Sequence, residues 1–450
     1  MTKSCDIYWF GSDLRLDDNH LLSRAAQAGR PLLFVYVVDR ALKASNRYQL
    51  RGIGAAREKF LLESLACLRE QLASLDQTLL VVEGDPVKVI GALIERCSAT
   101  TVYRGEQVGW DEWSQWRQLV AQSSASISWQ SGWQHTLLQP NQLPFSVEQL
   151  PNSFSKFRRA VEPLFEMPLQ PPSDLPTAID LSDAESYLVD AQIASKVSLT
   201  PPTLPSEEGF VGGKAAAWQH LQSYFSSPQP ACYKVTRNAL SDWPSSTKFS
   251  PWLALGVISP RQVAAQVRQY EAEHGANDST YWILFELLWR DYFQFYSYRY
   301  GKKLFTFGGI ENRSPLTSFY PQRFAAWCHG RTAYPLVNAA MNELRATGYL
   351  SNRARQIVAS CLVNELQVDW RYGAAFFEQQ LVDYDVASNW GNWQYIAGVG
   401  ADPRGGRHFS IEKQTSLYDP QGEYIAQWQG EAERSWGDAV DLVDWPRELH

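Results

Sequence analysis

The stretch DYDVASNWGNWQY, residues 383–395, gathers side chains for which a packed core has little use. Asp383 and Asp385 precede Asn389, and Trp390 and Trp393 follow at once. A carboxylate can accept from an N–H donor, an amide can both donate and accept, and an indole can stack on a flat ring. Ala387, Ser388 and Gly391 let the backbone approach a neighbour closely. A tryptophan-rich helix entered through an aspartate cap would explain the same residues. This stretch alone does not separate the two.

Three other clusters could carry chemistry. SSTKFSPW (245–252) sets hydroxyls and Lys248 just before a helix start, which suits a phosphate or diphosphate. A Ser/Thr cap with Pro251 in the first turn is the structural alternative. In WILFELLWRDYF (282–293), Glu286 and Arg290 stand one turn apart, as a surface ion pair would. Their neighbours on that face are Trp282, Trp289 and Phe293, however, and a carboxylate among aromatics is costly without a polar partner. That favours a site. SNRARQIVAS (351–360) opens a helix with Asn352 as its expected N-cap. Arg355 there can pair with an acid, and Arg353 can meet a phosphate.

These residues need elements to position them, and 450 residues imply two or three domains. Hydrophobic residues at 45% and charged residues at 20% describe a globular chain. The 18 Trp, 21 Tyr and 20 Phe point to a flat ligand, stacking or electron transfer. Six cysteines show no metal spacing, and the start MTKSCDIYWF has no basic-then-apolar leader, so reduced thiols in a cytoplasmic protein are expected. The most apolar helix candidate, 281–300, carries Glu286, Arg290, Asp291 and Arg299, which suits a buried helix and not a membrane span. Net charge is −7, but the eight acids and two arginines from Asp419 onward account for −6 of it. A local basic patch elsewhere is therefore compatible with the balance.

Residues 1–134 alternate short apolar runs (7–10, 31–38, 78–82, 100–104, 126–130) with helical patterns such as 55–75 and 85–97. That alternation predicts βαβ units and a doubly wound parallel sheet. RGIGAAR (51–57) lacks the full G-x-G-x-x-G and follows no strand, so it reads as a helix start. Pro, Ser, Gln and Asp dominate 135–205, a connector. Helical periodicity resumes near Gly212 and runs to about residue 400, within a helical domain set at 206–428, with 429–450 as an acidic tail.

Read end to end, the chain resembles the photolyase/cryptochrome family. The motifs are IYWFGSDLRLDDNHLL, TKFSPWLALGVISPRQV, FELLWRDYF, WCHGRTAYPLVNAAMNELRATGYLSNRARQIVAS and DYDVASNWGNWQYIAGVGADPR. SNWGNWQYIAGVG and LPNSFSKFRRAVEP point to its cryptochrome-DASH branch.

The resemblance implies an N-terminal α/β antenna domain and an all-helical domain that holds FAD. Asp383, paired with Arg355, and Asp385 then face the isoalloxazine and ribityl side, and Asn389 sets its amide against the central-ring nitrogen. Tyr233, Ser246, Thr247, Lys248, Phe249, Ser250 and Asn352 map onto the remaining cofactor contacts. Glu106 matches the acidic residue that holds a methenyltetrahydrofolate antenna. The implied activity is light-driven splitting of cyclobutane pyrimidine dimers. Glu286 would stabilise the dimer, Trp289 and Tyr395 would stack on it beside Gln356, and Arg237, Arg290, Arg353 and Gln414 would contact DNA. The expected partner is single-stranded or looped DNA, with RNA a further candidate, and the expected state is a monomer. Trp393 and Trp370 match the first two tryptophans of the family's electron relay. At the third position stands Thr317, leaving Tyr320 as the outer relay expected from sequence. A signalling photoreceptor remains the alternative reading, and a dark flavin oxidoreductase lacks a nicotinamide fingerprint.

Overall fold

The structure, a computed structural model, describes residues 4–164, 169, 171, 174–176, 182–204, 209–401 and 405–432. The acidic tail beyond 432 lies outside the described residues. Five runs become parallel strands: β1 (Asp6–Trp9), β2 (Leu32–Asp39), β3 (Leu79–Gly84), β4 (Thr101–Gly105) and β5 (Ser128–Gly132). A sixth, β6 (Ala194–Lys196), pairs antiparallel with β3, giving the order β5-β4-β1-β2-β3-β6. Both faces are covered, as a parallel sheet requires. Ile7, Trp9, Leu33 and Val35 pack with Val89, Ile90 and Leu93 of the helix Pro86–Cys97. Tyr8, Phe10 and Phe34 face the other way, into an apolar core continuous with the helical half.

The stretch read as a connector, 135–205, carries more structure than its composition signals. It contains the helices Phe154–Val161 and Ser182–Asp190 and the edge strand β6. Three residues reading Ala-Ser-Lys offer no apolar pattern, so only the exposed edge of β3 reveals the strand. Thr136, Leu137 and Leu138 are fully buried.

The functional half rests on four helices: α1 (Asp278–Tyr300), α2 (Asn352–Ser360), α3 (Trp370–Gln380) and α4 (Val386–Ala397). α1 starts at Asn277, whose side chain accepts from Ser279 and Thr280 N–H. Asp291 on α1 accepts from the N–H groups of Leu137 and Leu138 at 2.9 to 3.1 Å, tying the connector to this helix. α2 is capped by Ser351 and not by Asn352; the Ser351 hydroxyl accepts from Ala354 N–H at 3.3 Å. The α-helix ends at Ser360 and continues as a wider π turn, Cys361–Glu365. Among the described residues no helix is long and apolar enough to cross a membrane.

Candidate functional site

α1 places Glu286, Trp289 and Arg290 within little more than one turn, but they do not pair as spacing suggests. Glu286 accepts from the Arg237 guanidinium and, at 3.1 Å, from Trp282 Nε1. Arg290 turns inward. It donates to the carbonyls of His135 and Leu253, the latter at 3.1 Å, and lies 3.9 Å from Asp385. Its side chain is 12% exposed, so the expected DNA contact through Arg290 is replaced by a structural one. The fork of donors on Arg290 finds buried carbonyls that need a partner, which outweighs a helix-surface pair worth a few tenths of a kcal/mol (roughly 0.3).

The partner required by a carboxylate among aromatics is thus Arg237. Burial raises the Glu286 pKa, while Arg237 and then the Trp282 hydrogen bond pull it down. Trp282 stacks on Phe285 with centroids 4.3 Å apart, and Trp289 stacks on Phe154 at 3.8 Å. The edge of Tyr395, from α4, reaches Trp289 at 6.3 Å. Its hydroxyl accepts from Arg407.

Behind this aromatic wall lies the acid–amide cluster. Asp385 is the N-cap of α4: Oδ1 accepts from Ser388 N–H at 2.7 Å, and Oδ2 accepts from Gln294 Nε2 on α1 at 2.7 Å. Arg355 Nη2 donates to Asp383 Oδ2 at 2.8 Å, and burial, which would lower the arginine, is outweighed by Asp383. Asn389 Nδ2 donates to Ala374 O at 3.0 Å. Gly391 gives the Phe293 ring room that a Cβ would take.

The hydroxyl loop is not spent on capping. Phe249 occupies the N-cap of Ser250–Ala254 and makes no side-chain cap bond, so the Ser/Thr cap expected as an alternative is not realised. Lys248 is buried in a left-handed conformation, φ 54°, with its ammonium 4.8 Å from the Tyr349 ring centre. Burial pulls its pKa down to about 8 against Glu343. Tyr233 and Phe249 are also buried, whereas Ser246, Thr247 and Ser250 stay partly exposed. Asn352 is exposed at the first position of α2. Arg353 donates to Asn238 at 3.1 Å and lies 4.9 Å from the Tyr418 ring centre.

Among the described residues, several buried polar atoms have no partner: Asp383 Oδ1, Gln356 Oε1, Gln414 Oε1 and Arg353 Nε. A buried polar atom without a partner is costly, so such a cluster suits a polar ligand. Asp383 Oδ1 in particular suits a ring N–H donor, and the residues present fit an FAD.

Glu106 stands apart, at the end of β4, in a small cleft with Arg104, Gln107, Trp113 and Ser131. Burial raises its pKa, opposed by a bond from Ser131. Sequence reasoning did not single out Asn238 or Arg407, which sit in none of the motifs, and gave Phe154 no role although LPNSFSKFRRAVEP contains it. It also left Trp390 unassigned, though its ring meets Trp370 at 5.8 Å.

Comparison with known proteins agrees with this layout. A profile for the FAD-binding domain of DNA photolyase matches residues 282–442, and one for DNA photolyase matches 6–176. A cryptochrome DASH of Idiomarina loihiensis is 45% identical over 441 residues, 98% of this chain and 96% of its own. The crystal structure of a Synechocystis cryptochrome aligns with a TM-score of 0.88 at 39% identity, covering 95% of this chain and 89% of that one. A class III photolyase from Agrobacterium tumefaciens aligns at 0.76 with 26% identity, covering 95% and 87%. The chain therefore belongs to the cryptochrome-DASH branch of the photolyase/cryptochrome family, light-responsive flavoproteins that join a photolyase α/β domain to a helical FAD-binding domain.

Proposed function

We propose that this protein splits cyclobutane pyrimidine dimers under blue or near-ultraviolet light, preferring single-stranded DNA. The observation that carries the reading is Glu286. Its carboxylate is half-buried between aromatic rings, held by Arg237 and Trp282, on the helix whose Gln294 reaches Asp385. Lesion contacts and flavin contacts thus share one helix.

Tyr233, the 246–250 loop and Asn352 would hold the phosphate side of FAD, and Asp383, Asp385, Arg355 and Asn389 its ring and ribityl side. FAD, when bound and photoexcited, supplies the electron that opens the dimer and takes it back. Asn389 spends Nδ2 on Ala374, which leaves its oxygen to accept from a ring N–H. Glu286, whose pKa burial raises against the pull of Arg237, would hydrogen-bond the lesion where negative charge develops. Trp289 and Tyr395 would stack on the lesion, while Arg237 and Arg353 contact backbone or base edges; Gln414, expected to do the same, is as buried as Arg290 and stands outside that set. In the N-terminal domain, Glu106 would hold methenyltetrahydrofolate, a near-ultraviolet antenna that passes on its excitation.

The strand preference follows from Tyr395 and Gln356. A dimer must leave the duplex to reach the cleft, at a cost of a few kcal/mol (roughly 3). Tyr395 offers a smaller face than tryptophan and ties its hydroxyl to Arg407. Gln356 brings a buried amide oxygen with no protein partner, which favours water over a dry grip. A shortfall of ~1–3 kcal/mol, about one base stack, weakens duplex binding roughly ten- to a hundredfold. Single strands avoid the flipping cost. The test is dimer splitting in matched single- and double-stranded oligonucleotides under blue light. Faster single-strand repair is expected, and Tyr395→Trp with Gln356→Met should shift the ratio towards duplex. No splitting of any substrate would overturn the repair reading, and equal rates would overturn the strand preference.

A further inference from the structure

Resting on the flavin reading above, we propose that electrons enter the inner tryptophans from a tyrosine exit, Tyr372, reached through Trp390 and Tyr48, and not through position 317 or Tyr320. The strand-like contact of Ser318 with Val368 holds the 317–319 segment against the start of α3; Asp369 N–H donates to Ser318 O at 2.7 Å. Thr317, at that place, has no oxidisable ring. Tyr320 has Arg323 over its face at 4.3 Å and, among the described residues, no ring contact with Tyr48, Trp370 or Trp390 of the kind that links Tyr372 inward. The aromatic that fills the region instead is Tyr372, stacked on Phe319 at 4.0 Å and 12°.

Ring contacts run inward from it. Tyr372 meets Tyr48 at 5.0 Å, Tyr48 meets Trp390 at 6.4 Å, and Trp390 meets Trp370 at 5.8 Å. Trp393 joins the same helix, because its indole fills the space where Gly373, three residues after Trp370, has no Cβ. Among the described residues the competing branch reaches no further oxidisable ring. Trp393 also meets Trp327 at 6.2 Å, but Trp327 is fully buried, its Nε1 is bound to Val358 O, and its other ring neighbours are phenylalanines.

The electrostatics favour Tyr372 as the resting place. Arg47 lies 4.9 Å from the centre of the Tyr48 ring, so a positive hole there is repelled. Beside Tyr372, whose pKa is raised first by burial and then by Asp369, that carboxylate stands paired with Arg371 at 2.6 Å, so among the described residues no unpaired cation faces the ring as at Tyr48. Per photon, one electron leaves Tyr372 and passes through Tyr48 and Trp390 to refill Trp370. The phenol proton of partly exposed Tyr372 goes to water, leaving a neutral tyrosyl radical. An external thiol then donates a hydrogen atom, regenerating tyrosine and forming a thiyl radical.

The test is flash-induced electron paramagnetic resonance and transient absorption on the flavin-loaded protein without thiol. The wild type should end on a long-lived tyrosyl radical. Tyr372→Phe, which keeps the ring and its stack on Phe319, should lose that signal and leave a tryptophan radical that decays by recombination. Adding Thr317→Trp to Tyr372→Phe should restore a long-lived radical, now on tryptophan. Trp390→Phe should strand the hole on Trp370. A tyrosyl signal that persists in Tyr372→Phe, or that survives Trp390→Phe, overturns the exit while leaving the inner relay standing. A Trp370→Phe protein with unchanged radicals overturns the inner relay, and the exit with it.

Discussion

Replacing Asp383 with Asn tests the site where structure and cofactor reading meet, because the two oxygens of Asp383 do different things. Oδ2 holds Arg355 at 2.8 Å, and Oδ1 is buried without a protein partner. The Asp383 side chain is 3% exposed and that of Arg355 is 25%. Removing one partner of a fully buried ion pair costs about 3–5 kcal/mol. Here water reaches part of Arg355, and the Asn oxygen can still accept from Nη2, so a loss of about 2 kcal/mol is expected. The second effect is separate. With its oxygen on Arg355, the Asn side chain presents an NH2 group where Oδ1 stood, and a flavin N–H would meet a donor. Losing a charge-assisted hydrogen bond costs about 1.5–3 kcal/mol, roughly ten- to a hundredfold in FAD affinity.

The two are measured apart. Bound FAD would raise apparent stability by mass action, so unfolding in urea is followed on flavin-free protein. FAD is then titrated into the folded variant and followed by flavin fluorescence. A stability loss with unchanged FAD affinity would show that Asp383 is a structural anchor and that the flavin contact is misassigned. Unchanged stability would show that the Arg355–Asp383 pair is not the buried link described.

Lys248 predicts a pH dependence: an ammonium lowered to about 8 by burial is charged below that pH and neutral above it. FAD affinity of the flavin-free protein should hold below pH 8 and fall by up to about tenfold per pH unit above it, and Lys248→Met should flatten the profile. Arg237→Met should weaken DNA binding and lower the salt slope by about one, and infrared spectra should show the Glu286 carboxyl titrating at higher pH. An unchanged slope would place Arg237 away from phosphate. Gly373→Ala drives a Cβ into Trp393 and Leu362. It should cost ~1–3 kcal/mol in urea unfolding and slow flavin photoreduction; no effect on either would contradict the packing of Trp393 on α3.

The parts legible in the sequence were those with a strong local signature. Five strands appear as short β-branched runs, and α1 appears through its helical aromatic repeat. β6 did not, because pairing with an exposed edge needs no apolar pattern. The Ser351 cap was missed by one residue because Ser and Asn are equally good caps and stand side by side. The partner of Glu286 was misread for a deeper reason. Spacing along a helix says which side chains can meet, not which is in demand elsewhere, and Arg290 was in demand at His135 and Leu253. Trp390 and Trp393 stand three positions apart on α4, so periodicity gives both the same rough direction. What separates them is outside the helix: Gly373 opens space for Trp393, and Trp390 meets Tyr48 and Trp370.

Asp385 shows why the parts of the candidate site cannot be tuned one at a time. As the N-cap of α4 it sets where that helix starts, and hence the register of Asn389 and Tyr395 along it. Through Gln294 and Arg290 it also binds α1, the helix that carries Glu286 and Trp289. One carboxylate therefore fixes the spacing between the aromatic wall that would receive a lesion and the amide that would face the flavin. A substitution at Asp385 that spared the cap would still release Gln294, whose own oxygen is already buried without a partner. The junction of the two helices would loosen there, and on the proposed reading that is where close approach of lesion and cofactor would matter. The same economy explains why Arg290 is better spent inside than on a phosphate. Its loss would leave buried carbonyls at His135 and Leu253 without donors and loosen the helix that holds Glu286.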